Sequence, residues 1–193
     1  MIARLPLLPT VLVLAAAAVM VGLGFWQLDR RTQKAELLAR YDAALVDDSV
    51  VRWPSRTAEA EALLYRHARL DCVEVRGTSA MAGRSAAGES GLAITAQCDI
   101  GSGPPVTVAL GWSQAPMVPH WRGGKVEGVI APGPRLVADP PVAGLAANEV
   151  PDPSEIPDNH LAYAVQWFLF ALTALVVYGL AVRKRLAAGG PER

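Results

Sequence analysis

Metal-binding and nucleophilic side chains are scarce in this chain of 193 residues, which has two cysteines and three histidines. Cys72 and Cys98 stand alone, with no C-x-x-C and no Cys/His cluster, so the ligand spacing of a zinc centre is missing. No Ser/His/Asp grouping, phosphate-binding glycine loop or partnered pair of carboxylates is present, so the chain is not expected to be an enzyme. Net charge is lacking too. Eighteen Lys and Arg balance eighteen Asp and Glu, and such a chain has no general attraction to nucleic acid. Glu149, Asp152, Glu155 and Asp158 form an acidic run without the order or the glycine of an EF-hand loop, and read as a solvated linker.

The most informative absence is local. Residues 5–28 and 161–182 carry no charged side chain. As helices at about 1.5 Å per residue they reach roughly 36 and 33 Å, enough to cross a hydrocarbon core of about 30 Å. Trp26 closes the first stretch, and Tyr163 with Trp167 opens the second, where amphipathic rings prefer the headgroup level. The first stretch has features of a cleaved signal peptide, in Arg4 and the run Ala15 to Ala18, but it is longer than the usual apolar core of one. The second is too evenly apolar for a soluble core helix and is followed by Arg183, Lys184 and Arg185.

The expected plan is therefore a transmembrane helix at 5–28, a β-rich domain at 29–160, a second transmembrane helix at 161–182 and a basic tail at 183–193. Lys and Arg are absent from 136–160 and cluster after the second span, Arg193 included, which puts the C-terminus in the cytoplasm by the positive-inside rule. Two crossings put the N-terminus there as well and the middle domain in the periplasm of a bacterial-type inner membrane. Arg30, Arg31, Lys34 and Arg40, just after the first span, point the other way. A loop this long is translocated largely regardless of its charge.

Within the middle, Arg30 to Leu45 reads as a helix continuing from the membrane, with Leu37, Leu38, Tyr41 and Leu45 at helical spacing. Trp53-Pro54 breaks the chain, and Glu59 to Leu64 suits a short helix. Alternation predicts strands at His67 to Arg76, at Leu92 to Ile100 with Ile94, Ala96, Cys98 and Ile100 on one face, at Val106 to Leu110, and at Lys125 to Ile130. Gly101 to Pro104 reads as a hairpin turn. Met81 to Gly91 is small and polar and reads as a loop. Seven prolines from Pro132 to Pro157 mark 131–158 as an irregular return to the membrane. The fold class is thus α+β, two transmembrane helices flanking one antiparallel β-rich domain. A small barrel and an open sheet both fit, and the barrel-like form is preferred because edges need covering.

Cys72 and Cys98 suit either a disulfide, which a periplasmic location permits, or two buried small residues. His67 and His120 read as surface histidines without partners. His160 stands at the start of the second span after Asp158-Asn159, either of which can cap the helix. An interfacial polar residue is its ordinary reading. The other is a neutral imidazole serving as an axial ligand for haem iron. His160, Tyr163 or Ala164, Trp167, Ala171, Ala174 and Tyr178 follow steps of three and four and share a face. Gln166 is a polar group inside the span, of the kind that faces a partner helix or a cavity. In the first span Ala15, Ala18 and Gly22 offer a small face for close helix approach.

Gly24-Phe25-Trp26-Gln27-Leu28-Asp29-Arg30-Arg31, Asn159-His160-Leu161-Ala162-Tyr163-Ala164-Val165-Gln166-Trp167-Phe168, Leu110-Gly111-Trp112 with Pro116 beyond, and Val126-Glu127-Gly128 together resemble the Surfeit locus protein 1 family. These are membrane proteins that assist cytochrome c oxidase assembly. Ala109-Leu110 replaces the family's usual Asn-Arg before Gly-Trp, and Asp158 precedes the Asn-His pair. The resemblance implies a role in respiratory chain biogenesis, with haem a as a transient cofactor. It implies cytochrome c oxidase subunit I, the haem a synthesis machinery and the lipid bilayer as partners. On this basis His160 is the expected haem-iron ligand, Tyr163 and Trp167 pack against the porphyrin, and Gln166 meets a polar edge. The competing expectation is a cofactor-free scaffold in which His160 is structural.

Overall fold

A computed structural model describes residues 6–117 and 119–188. Arg4 and Arg193, used above, lie outside the described residues. In chain order the elements are helix α1 (Leu7–Leu45), strand β1 (Val51–Arg52), helix α2 (Thr57–Ala62), strands β2 (His67–Cys72), β3 (Glu74–Arg84), β4 (Ser90–Asp99), β5 (Val106–Ser113), β6 (Gly124–Ala131) and β7 (Arg135–Ala138), a short 3-10 turn (Pro153–Glu155) and helix α3 (His160–Ala188). They form two compact units, one of described residues 6–37 and 156–188, the other of Leu38–Glu155.

The first unit is helical. At about 1.5 Å per residue, the 39 residues of α1 and the 29 of α3 are each longer than a bilayer core. In the most apolar stretch of each helix only 11% and 6% of residues are buried, the reverse of a soluble core helix. Leu8, Val19 and Phe25 on α1 and Leu172, Val177 and Leu180 on α3 are all exposed. Both helices are long and apolar enough to cross a membrane.

The residues they do bury are small: Ala17 and Gly24 on α1, Ala164 and Ala171 on α3. Each pair is seven residues apart, two helical turns on one face. A Cβ on Gly24 would sit 2.5 Å from the Phe168 ring, and Phe25 meets that ring edge-on with centroids 5.4 Å apart. The helices are antiparallel: the Thr10 and Tyr178 hydroxyls meet at one end and Gln27 meets His160 at the other. The expected face of Ala15, Ala18 and Gly22 is instead exposed. Where four consecutive alanines run together, spacing gives the period of a packing face but not its phase. The phase is set by Thr10, Gly24 and Gln27.

The second unit is a seven-stranded sheet in the order β1-β2-β6-β7-β5-β4-β3. It is mixed rather than antiparallel, because β1 pairs with β2, and β5 with β7, in parallel. Nor is it a closed barrel: no ladder joins β1 to β3 among the described residues. The sheet curls instead, and Cys72 of β2 is disulfide-bonded to Cys98 of β4, with Cα atoms 5.2 Å apart, although three strands lie between them in the sheet order. The core is aliphatic, with Ile94, Val108, Leu110, Ile130 and Leu136 fully buried. Tyr65 is buried too, stacked at a tilt on Tyr41 of α1 with centroids 4.7 Å apart.

Four sequence expectations change here. The run His67 to Arg76 is two strands that part at Val73. Met81 to Gly91 is no loop: Met81 to Arg84 ends β3, Ser90 begins β4, and the two pair in register. At Gly91 a small residue is needed, because a Cβ there would lie 2.5 Å from the Trp112 ring. The proline-rich return contains β7, because Pro132-Gly133-Pro134 is a tight turn, with Gly133 at φ 72°. His67 is half-buried and has a partner after all, its Nε2 lying 3.3 Å from the carbonyl oxygen of Leu45. His120 is exposed.

Candidate functional site

The site forms where α3 begins beside α1. Asp158 Oδ1 accepts the backbone N–H of His160 at 3.2 Å, and the Asn159 carbonyl accepts the N–H of Tyr163 at 3.1 Å. One orphan donor and one carbonyl of the helix start are thereby satisfied. Lys34 donates to the carbonyl of Pro157, which ties the approach to α3 against α1. The His160 ring is half-buried, and its Nδ1 lies 2.8 Å from Oε1 of Gln27. Gln27 is one turn beyond Gly24, the position that lets the helices approach closely.

Of the other expected site residues, Trp167 is half-buried and meets Phe170 edge-on with centroids 6.1 Å apart. Tyr163 is 50% exposed, and Ala164 takes the seam position for which both were candidates. Gln166 is exposed. At about 100° per residue, Tyr163 flanks the His160–Trp167 stripe and Gln166 lies further round the helix. His160 is the only one of the four brought against α1 by a hydrogen bond.

Among the described residues no group of three or more His, Cys, Asp or Glu could hold a bare metal ion. The site offers one imidazole, an apolar helix pair below it, and cations above it. Arg30, Arg31 and Lys34 follow Gln27 at steps of three, four and seven, so they continue its face of α1. Arg30 lies over the Trp26 ring, 5.5 Å from its centroid.

The SURF1 family model matches residues 14–172, a span that takes in both Gln27 and His160. The chain belongs to the SURF1 family. The comparison with curated proteins returned no match. SURF1 membership implies a factor for cytochrome c oxidase assembly rather than a catalyst.

In this SURF1 protein the two segments that carry the family resemblance meet each other: Gln27 with His160 and Phe25 with Phe168 side chain to side chain, and the Gly24 backbone under the Phe168 ring. Sequence reading singled out Gln166 as the polar group inside a span and passed over Gln27, to which the same rule applies. The signal was there; the charged residues just beyond Gln27 made it look like the end of the span. The sheet unit holds a hollow of about 550 Å³ lined by Arg52, Arg69, Asp71, Lys125 and Glu127. Its charges alternate across the strands, Arg69 opposite Glu127 and Asp71 opposite Lys125, an arrangement that serves the sheet surface.

Proposed function

We propose that this SURF1 protein is a membrane-anchored assembly factor that holds haem a at the mouth of the α1–α3 pair and helps its insertion into cytochrome c oxidase subunit I. The observation that carries the proposal is His160, half-buried at the helix junction and tied to Gln27 of the opposite helix at 2.8 Å. A single histidine is too little for a bare ion, but it suits haem. The macrocycle brings four nitrogens of its own and asks the protein for an axial one. When bound, haem a supplies the redox-active iron that the oxidase requires; the residues of this chain bind, orient and release it.

His160 would hold the iron through an imidazole nitrogen. Tyr163 and Trp167 pack against the ring, and Gln166 meets a polar edge. Arg30, Arg31 and Lys34 suit the propionate carboxylates, which gives a reason for cations on the side where the positive-inside rule does not want them. Held through His160 alone, the haem would be bound loosely enough for release to a partner.

Both termini lie in the cytoplasm and the sheet unit in the periplasm of a bacterial-type inner membrane. The Cys72–Cys98 disulfide supports that side, since disulfides persist in oxidising compartments. The test is complementation. In a host lacking its own SURF1 protein, the wild-type chain should restore the haem a content of purified cytochrome c oxidase, and His160→Ala, expressed to the same level, should not. Restoration by His160→Ala would favour a scaffold that works without holding haem.

A further inference from the structure

We infer that Gln27 is the positioning residue of the haem site, fixing His160 in the tautomer whose Nε2 carries the free lone pair. The inference rests on the haem reading of His160. It starts from one contact that bridges 133 residues of sequence: Nδ1 of His160 lies 2.8 Å from Oε1 of Gln27. With Oε1 of Gln27 turned toward the ring, Nδ1 is the donor, because an amide oxygen has no hydrogen to give. A neutral imidazole has only one N–H. With that hydrogen on Nδ1, Nε2 is left as the acceptor, and it has no hydrogen-bond partner among the described residues.

Two consequences follow for a ligand histidine. Free imidazole side chains in water favour the opposite tautomer, with the hydrogen on Nε2, which cannot bind a metal through that atom. Gln27 reverses this default and also fixes the ring's rotation, so the nitrogen is ready before any iron arrives. A partner on the non-ligating nitrogen further raises the basicity of the ligating one. The choice of an amide over a carboxylate matters in the same way. A Glu would add a charge at the edge of the apolar helix pair, at a cost, and would pull harder on the Nδ1 proton. The neutral amide orients the ring while leaving it a moderate ligand, as handover requires.

The experiment uses the full-length chain in mild detergent, with ¹⁵N-labelled histidine and no haem, at a pH above imidazole protonation. His160→Ala assigns the signal among the three histidines. The wild type should show the Nδ1–H tautomer at His160, Gln27→Leu the Nε2–H tautomer, and Gln27→Glu the Nδ1–H tautomer again. In the haem-loaded protein, Gln27→Leu should weaken haem affinity about 10- to 100-fold, the usual loss for a partner behind a metal ligand. Gln27→Glu should keep the haem and raise the iron–histidine stretching frequency of the reduced form. That shift depends on ligand basicity, and a merely structural role would not produce it. An Nε2–H tautomer in the wild type, or Gln27→Leu with unchanged tautomer and affinity, would overturn the inference. A haem band that survives His160→Ala would overturn the haem reading beneath it, and the tautomer measured without haem would still decide whether Gln27 orients the ring.

Discussion

At the scale of single residues, the chemistry of the chain rests on a few polar groups placed at helix and strand ends. His160 and its cap were legible in the sequence because a polar triplet, Asp158 to His160, directly precedes an apolar span. Gln27 was legible in kind but not in role, because its partner lies at the far end of the chain. The sheet unit has a comparable group in Asp99, at the end of β4. Its carboxylate accepts the Gly101 N–H at 2.8 Å and pairs with Arg76. The Gly101 bond first, and then Arg76, hold its pKa below the usual carboxylate range. A carboxyl whose native pKa is depressed adds stability that is fully present above the unfolded-chain value, about 3.9. That stability is lost as pH falls through the lower native value. Thermal unfolding of wild type and Asp99→Asn, followed from pH 7 to pH 3, should show a higher Tm for the wild type that holds down to about pH 5 and then shrinks. Curves that stay parallel through that range would deny Asp99 this role.

At the scale of elements, periodicity was a good guide to type and a poor one to phase and to small-residue strands. The continuous α1, the β4 face of Ile94, Ala96 and Cys98, and the Gly101–Pro104 turn all follow from local pattern. The β3–β4 hairpin was hidden because Met81 to Gly91 lacks the branched and aromatic residues that mark strands. Gly91 answers to Trp112, which is distant in sequence. β7 was hidden by its prolines, which make the turn beside it rather than break it. The phase of the helix seam gives a sharp comparison. Gly24→Leu drives a side chain into Phe168 and should destabilise the folded protein by about 1–3 kcal/mol, as overpacking does. Gly22 has open space around it, so Gly22→Ala should be neutral or stabilise by up to about 1 kcal/mol, as Ala does over Gly inside a helix. Thermal unfolding in detergent separates the two. Equal losses would place the seam back on the Ala15, Ala18 and Gly22 face.

At the scale of the whole molecule, one chain folds into two units that share α1, and its family connects it to oxidase assembly. The disulfide cross-links residues 26 apart, and closing a loop of that size constrains the unfolded chain by about 3.5 kcal/mol. That contribution depends on an oxidising compartment, where disulfides persist. Two long apolar helices around a β-rich domain could be read from hydropathy. The open, mixed sheet could not, because β7 enters between β5 and β6 through contacts that no local pattern announces. The central claim is that this protein carries haem a on His160, and its visible spectrum tests that most directly. After coexpression with a haem a synthesis pathway and purification in mild detergent, the wild type should show a haem a band that is lost or sharply reduced in His160→Ala. No band in folded wild-type protein, or an undiminished band in the variant, would contradict it.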